Sequence, residues 1–332
     1  MGQIFSSFLS QSFRIPPPTL TEKNLPDQTG KVFIITGSNT GVGKELASIV
    51  YRHNATVYIA ARSEDKALAA IADLKSLHPS SKGALHYLHL NLSDLSTIKA
   101  SADAFTSKES RLDVLWNNAG VMVPPNNSVG AQGHDLQYAT NILGPFLFTK
   151  LLLPALRSTA ASAPESSVRV CWAGSLGIDL SSPTGGCEFD AEGSLIDYNK
   201  SSSSKAYGVT KAANYLLGYE FGKRYGTADG VLHNSFNPGN LQTELQRHAT
   251  EAYGKVAMKV LDILLYPAVF GAYTELWAGL SGELTVEGDQ GIFVLPWGRK
   301  GGVRRDITGE CREGGKSERL WGWCERETVK FA

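Results

Sequence analysis

From residue 31 onward, short apolar runs alternate with longer stretches in which apolar residues recur every three or four positions. Lys31 to Thr36 (KVFIIT) is β-branched and apolar almost throughout, as a strand covered on both faces must be. Thr56 to Ala61, Leu85 to Leu90, Leu112 to Trp116, Val168 to Ala173, Leu232 to Asn237 and Ile292 to Leu295 repeat the type. Between them the period lengthens to that of helices: one begins near Gly41, and another runs through Leu74. This alternation predicts an α/β protein in a single domain, with seven strands in one doubly wound parallel sheet joined by right-handed crossovers. No internal repeat interrupts it, and the one low-complexity patch, Ser201 to Ser204, reads as a loop tip before a helix.

The two ends fall outside this rhythm. Ile4, Phe5, Phe8, Leu9 and Phe13 lie at helical spacing and make one apolar face, and Pro16-Pro17-Pro18 then ends any helix in an extended linker. Residues 1–27 therefore read as an N-terminal arm, residues 28–300 as the body and residues 301–332 as a tail packed on it, pinned by Trp321 and Trp323. Gly2 with Ser6 fits the N-myristoylation pattern, so the arm either docks on the protein's own surface or meets a membrane. A single acyl chain anchors only marginally, and Arg14 is the only cation nearby. No secretory signal is visible, so the expected location is cytoplasmic, or peripheral to a membrane. No membrane span is visible: the best candidate, Ile263 to Thr274, is broken by Pro267, falls short of the ~20 residues a span needs and reads as a buried or pocket-lining helix.

Composition narrows the function classes. The 332 residues carry 32 Lys+Arg and 32 Asp+Glu, a net charge of zero, which argues against a nucleic-acid partner. The apolar fraction of 42% is ample for a buried core. Cys171, Cys187, Cys311 and Cys324 form no CxxC pair and read as free thiols. The histidines have no metal-ligand spacing, and His86 and His89 point to opposite faces of a strand, so no metal is expected.

Candidate chemistry begins at the end of the first strand, which runs into Thr36-Gly37-Ser38-Asn39-Thr40-Gly41-Val42-Gly43-Lys44-Glu45. A glycine-rich turn between strand and helix lets backbone approach a pyrophosphate, and the helix N-terminus offers it free N–H groups and partial positive charge. Glu45 after Lys44 rules out the Walker ending. The second strand ends Ala60-Ala61-Arg62, where an acidic residue would bind ribose hydroxyls and repel a 2′-phosphate. Arg62, with Lys66 one helical turn on, suits a phosphate dianion, so NADP(H) is expected over NAD(H); Glu64 and Asp65 are expected to face solvent. The fold is thus of the Rossmann, dinucleotide-binding type.

Tyr207 and Lys211 stand four apart on one helical face. Asn117-Asn118-Ala119-Gly120 follows the fourth strand, Asn141 sits in a later helix, and Ser175 follows the fifth strand. These elements would meet at the carboxyl ends of parallel strands. With TGxxxGxG, NNAG, the ordered Asn–Ser–Tyr–Lys set and Pro238-Gly239 before Thr243, residues 28–300 strongly resemble the short-chain dehydrogenase/reductase superfamily. The "AAR" strand end, the long stretch before YxxxK and Pro296-Trp297-Gly298-Arg299 resemble its retinol-dehydrogenase-like branch and fungal members.

The resemblance implies an NADP(H)-dependent oxidoreductase acting on a carbonyl or alcohol. Tyr207 would be the general acid or base, and Lys211 would favour its phenolate and bind the nicotinamide ribose. Ser175 would donate to the substrate oxygen, and Asn141 would hold a water that relays protons to Lys211. Gly37, Asn39, Gly41, Val42, Gly43, Asn91, Asn118 and Thr243 would line the cofactor beside Arg62 and Lys66. Three departures stand out: Asn91 replaces the usual aspartate near the adenine, Gly174 replaces a serine, and residues 176–206 form a long insertion. Apolar Leu245 to Leu280 (Val256, Met258, Leu261, Leu264, Leu265, Tyr266, Phe270) reads either as a substrate loop for a bulky apolar molecule, a biosynthetic intermediate for example, or as ordinary helix packing. Competing readings are a silent NADP-binding regulator or scaffold, whose signature would be a missing tetrad member, and an epimerase or dehydratase, which usually carries a GxxGxxG turn. Family members often pair through helices, so the resemblance leaves open either a homo-oligomer or added ends that block that surface.

Overall fold

The computed structural model describes residues 2–198, 201–243 and 265–332. Its strands are β1 (Val32–Thr36), β2 (Thr56–Ala61), β3 (Ala84–His89), β4 (Val114–Asn117), β5 (Val168–Ala173), β6 (Val231–Phe236), β7 (Phe293–Leu295) and β8 (Arg299–Gly301). They form one sheet in the order β3-β2-β1-β4-β5-β6-β7-β8. The chain order reverses between β1 and β4, and that switch point opens a crevice beyond the carboxyl ends of the strands.

Among the described residues the expected seven strands are eight. β8 (Arg-Lys-Gly) pairs antiparallel with β7, Leu295 opposite Arg299, through a turn in which the Gly298 N–H donates to the Leu295 carbonyl at 2.9 Å. Three residues with two cations carry no hydrophobic alternation, so the pattern misses the strand; the same charges suit an exposed sheet edge.

The helices are α1 (Gly2–Ser12), α2 (Gly41–Arg52), α3 (Glu64–Leu77), α4 (Leu95–Thr106) and α5 (Leu136–Ala160), then α6 (Gly177–Ser181), α7 (Ser203–Phe221), α8 (Ala268–Leu280), α9 (Arg305–Thr308) and α10 (Lys316–Thr328). Alternate strand residues feed two cores. Ile34, Leu115, Val170 and Trp172 pack on the α4, α5 and α7 side, whereas Phe33, Ile35, Trp116 and Cys171 pack on the α2, α3 and α8 side. Burying each such side chain contributes about 1.5–3 kcal/mol. Trp116 and Trp172 are wholly buried and are core packing. By length and composition α5 could cross a membrane, yet 72% of its most apolar stretch is buried within this fold. Cys171, Cys187 and Cys324 are buried, Cys311 partly so, and all four are free thiols.

Both ends lie on the body. Trp321 of α10 stacks edge-on against Phe146 and Phe221 at centroid distances of 4.9 and 4.7 Å. The arm docks through its polar side: Gln11 and Ser12 are buried, while Leu9 and Phe13 of the apolar face stay exposed.

Candidate functional site

A cleft of about 960 Å³ lies at the carboxyl ends of the strands, spanning the turns after β1, β2, β4, β5 and β6. At one end, the β1–α2 turn is as tight as backbone permits. Gly37 and Gly41 hold φ of +71° and +57°, where a side chain is strained. Gly43 faces away from the cleft; a Cβ there would sit 2.6 Å from Asn118 Nδ2, so its bareness lets α2 pack on the strand ends. Asn118 Nδ2 donates to the Thr36 carbonyl at 2.8 Å, and Thr36 Oγ1 accepts from the Ala119 N–H at 2.9 Å. These bonds lock NNAG against the glycine turn. The side chain of Thr40 does not cap α2. The free N–H groups of that helix end therefore remain available to a ligand.

Gly37, Asn39, Gly41, Val42, Arg62, Lys66, Asn91, Asn118 and Thr243 all line this cleft. Arg62 and Lys66 are exposed at its edge, beside the N-terminus of α3, where Ser63 accepts from the Lys66 N–H. Glu64 and Asp65 are exposed and are not among the lining residues. Asn91 Oδ1 accepts from Ser93 Oγ at 2.8 Å, so the amide oxygen is engaged in its own turn and the NH2 end is the one left to address a ligand. Thr243 packs toward Gly41, whose Cβ would meet its methyl at 3.8 Å.

At the other end lie Ser175, Tyr207 and Lys211. Ser175 Oγ accepts from the Gly177 N–H at 3.0 Å, which leaves its own proton to donate. The Tyr207 ring lies against Gly177, whose Cβ would fall 3.2 Å from Cε1 and 3.5 Å from Ser175 Oγ. Lys211 Nζ lies 5.5 Å from the Tyr207 ring centroid and donates to the Ala173 carbonyl at 3.0 Å. Burial pulls its ammonium down to about 8, against the upward pull of Glu275.

Asn141 does not line the cleft. It sits in a π-turn of α5, Ala139–Leu143, a local widening frequent at functional sites. Its Oδ1 accepts from the Val121 N–H at 2.9 Å, and its Nδ2 donates to the Val121 carbonyl and to Thr210 Oγ1. It thereby pins the segment after NNAG, and Asn141 Oδ1 and Lys211 Nζ both flank Gly120.

Several lining residues were not singled out from the sequence. Leu176, Gly177, Leu180 and Ser181, at the start of the insertion, form the wall beside Ser175; their position directly after that serine was the available signal. Further along the insertion, Phe189 and Gly193 meet the C-terminal region: the Arg319 guanidinium lies 4.6 Å from the Phe189 ring centroid, and Arg326 donates to the Gly193 carbonyl at 2.7 Å. Gly174 has a packing reason, since a Cβ would fall 2.7 Å from the Phe293 ring. Glu275 of α8 is fully buried, and neither carboxyl oxygen finds a hydrogen-bond partner among the described residues. Burial raises its pKa strongly, against the opposite pull of Lys211. Of the apolar stretch from Leu245, Val256, Met258, Leu261 and Leu264 lie outside the described residues. Leu265 lines the cleft, whereas Tyr266 and Phe270 pack on Trp297 at 5.0 and 5.1 Å between centroids.

Comparison with known proteins agrees with this geometry. Residues 31–163 match the family model described as short chain dehydrogenase. A short-chain dehydrogenase/reductase of Phomopsis amygdali is 48% identical, over 95% of this chain and 94% of the relative. Another, from Emericella nidulans, is 42% identical over 95% and 98%. A crystal structure of an uncharacterized protein from Mycobacterium Paratuberculosis superposes with a TM-score of 0.66 and 26% identity, over 93% of this chain and 97% of that one. With relatives this similar along nearly its whole length, the chain belongs to the short-chain dehydrogenase/reductase family of oxidoreductases.

Proposed function

We propose that the protein is an NADP(H)-dependent oxidoreductase that moves a hydride between the nicotinamide and the carbonyl or alcohol carbon of an apolar small molecule. The observation that carries this reading is the meeting of Ser175, Tyr207 and Lys211 in one cleft with a glycine cradle and Arg62. The residues present fit a dinucleotide. A Cβ at Gly37 would fall 3.0 Å from Ala119 Cα, so only glycine lets the turn close on NNAG. The N-terminus of α2 suits a pyrophosphate. Arg62, with its planar fork, and Lys66 suit a 2′-phosphate. Solved proteins of this fold include complexes with NADP and one with NADH, so the choice rests on Arg62 and Lys66. The cofactor, when bound, supplies or accepts the hydride.

The chain's own residues manage the proton and the geometry. Ser175, its Oγ already accepting from Gly177, donates its proton to the substrate oxygen and orients the carbonyl. Tyr207 protonates that oxygen during reduction and takes the proton back in oxidation, a role that contributes typically ~10²–10⁴-fold. An isolated phenol titrates near ~10, and the adjacent Lys211 charge favours the phenolate. Even pulled down to about 8 by burial, Lys211 is mainly charged at pH 7. Asn141 holds Val121, and with it the Gly120 backbone beside Lys211. Met122, Pro124, Leu176, Leu180, Leu241 and Leu265 give the substrate end an apolar lining. The substrate is accordingly read as an apolar biosynthetic intermediate, in keeping with the fungal source of the relatives.

The test pairs an NADPH-oxidation screen over aromatic ketones and long-chain aldehydes with the variant Tyr207→Phe. Turnover should fall at least about 100-fold while NADPH binding persists. Undiminished turnover would refute the assignment.

A further inference from the structure

The N-terminal helix joins the two walls of the active-site cleft by an unbroken hydrogen-bond chain. One wall, Leu176–Ser181, follows Ser175; the other, from Asn237 to Thr243, follows β6. The Gly239 N–H donates to Asn237 Oδ1 at 3.0 Å, and Asn237 Nδ2 donates to Gln11 Oε1 at 2.8 Å. Gln11 Nε2 donates to Ser7 Oγ at 2.7 Å, and Ser7 Oγ donates to Asp179 Oδ2 on α6. Beside it, Asn240 Nδ2 donates to Ser12 Oγ at 2.9 Å and Tyr266 OH to the Ser12 carbonyl at 3.3 Å. Gln11, Ser12, Asn237 and Asp179 are 2%, 1%, 1% and 5% exposed, so water does not substitute freely for these partners.

The chemistry sets the direction of the chain. A backbone N–H only donates, so Gly239 fixes the oxygen of Asn237 toward itself and the amide nitrogen toward Gln11. Gln11 must then accept with oxygen and donate with nitrogen, and Ser7 passes its proton to a carboxylate, which accepts only. Each member has one workable orientation. Gly239 itself has no slack: it holds φ +98°, and a Cβ would fall 2.4 Å from the Trp297 ring. Arg304 grips the far end, donating to the carbonyls of Ile178, Asp179 and Ser182, so α6 is held from both ends of the chain.

We propose that Gln11 is a positioning residue of the active site: it fixes the Asn237–Thr243 wall against the α6 wall, so that the two close on cofactor and substrate as one frame. The proposal rests on the reading of this cleft as the NADP(H) site. The test uses the full chain, wild type and two variants, with NADPH titrated by protein-fluorescence quenching and backbone hydrogen exchange followed by mass spectrometry. Gln11→Met keeps the volume and breaks both amide bonds. It should weaken NADPH binding about tenfold and speed exchange in 176–181 and 237–243 together, leaving the rest of the sheet unchanged. Ser7→Ala cuts the chain beyond Gln11. It should speed exchange in 176–181, leave 237–243 protected by the surviving Gln11–Asn237 bond, and weaken NADPH binding by less than Gln11→Met does. A Gln11→Met protein with wild-type Kd and unchanged exchange in both walls overturns the proposal, as does faster exchange spread evenly over the sheet, which marks mere loss of stability. Should Gln11→Met fail to fold, Ser7→Ala decides by the same segment: unchanged exchange in 176–181 overturns it. A wild-type chain that does not bind NADPH overturns the cofactor reading and this proposal with it, whereas binding that Gln11→Met leaves intact overturns this proposal alone.

Discussion

Replacing Lys211 by methionine should make the fold more stable while abolishing turnover. The ammonium, ordinarily near 10.5, is pulled down to about 8 by burial. Holding it charged at pH 7 therefore costs about 3 kcal/mol. Methionine keeps the unbranched stem and removes the charge. It also loses the bond to the Ala173 carbonyl, worth about 1 kcal/mol. That carbonyl keeps the Asn214 amide at 2.8 Å, so no buried acceptor is orphaned. Burial already raises the Glu275 carboxyl strongly, and removing the cation pushes it further the same way. The net gain is about 2 kcal/mol, or roughly 4 °C in Tm for a domain of this size. The pH dependence has a definite sign. Below about 8 the native lysine is charged and the cost is complete. Between about 8 and its ordinary 10.5 the native state gives up its proton before the unfolded state does. Wild-type stability then rises relative to the variant, and the gap narrows. Thermal melts of both proteins without cofactor, at pH 7 and pH 10, measure it. A variant that melts below wild type at pH 7, or a gap that is the same at both pH values, refutes the reasoning.

Two further outcomes follow from the same structure. Arg62→Ala should raise the KM for NADPH by about 10- to 100-fold and leave that for NADH nearly unchanged, because a charge-assisted bond to phosphate is worth about 1.5–3 kcal/mol; equal losses for both cofactors would count against the 2′-phosphate reading. His233 is fully buried, stacked on Phe221 at 5.3 Å, and neither ring nitrogen has a hydrogen-bond partner among the described residues. Burial pulls its pKa down to about 3 from an ordinary 6.5. As pH falls below 6.5 the unfolded state takes up a proton that the native state refuses, so stability drops by up to about 1.4 kcal/mol per pH unit. His233→Phe should melt higher than wild type, by more at pH 4.5 than at pH 7.5; identical pH dependence in the two proteins would show that His233 is not the responsible group.

The family, the parallel sheet and the roster of cleft residues are legible in the chain because they rest on local rules. Apolar runs such as KVFIIT mark strands covered on both faces. The glycines of the first turn, the arginine after β2 and the Tyr–Lys pair sit at strand ends or at one helical spacing, and parallel topology brings strand ends to a common edge. Tertiary structure decided what no spacing encodes. β8 exists because a partner strand and a tight turn offer it bonds, although Arg-Lys-Gly has no strand pattern of its own. The bareness of Gly43 and Gly174 is imposed by Asn118 and Phe293, which arrive from distant segments. The ordered Asn–Ser–Tyr–Lys set marks Asn141, but only contact with Val121 and Thr210 commits its amide. The N-terminal arm shows the division most clearly. Its periodicity displays an apolar face, yet its polar side is the one that docks, because Asn237 and Asp179 are buried groups that need partners, and only the fold brings Gln11 and Ser7 to them.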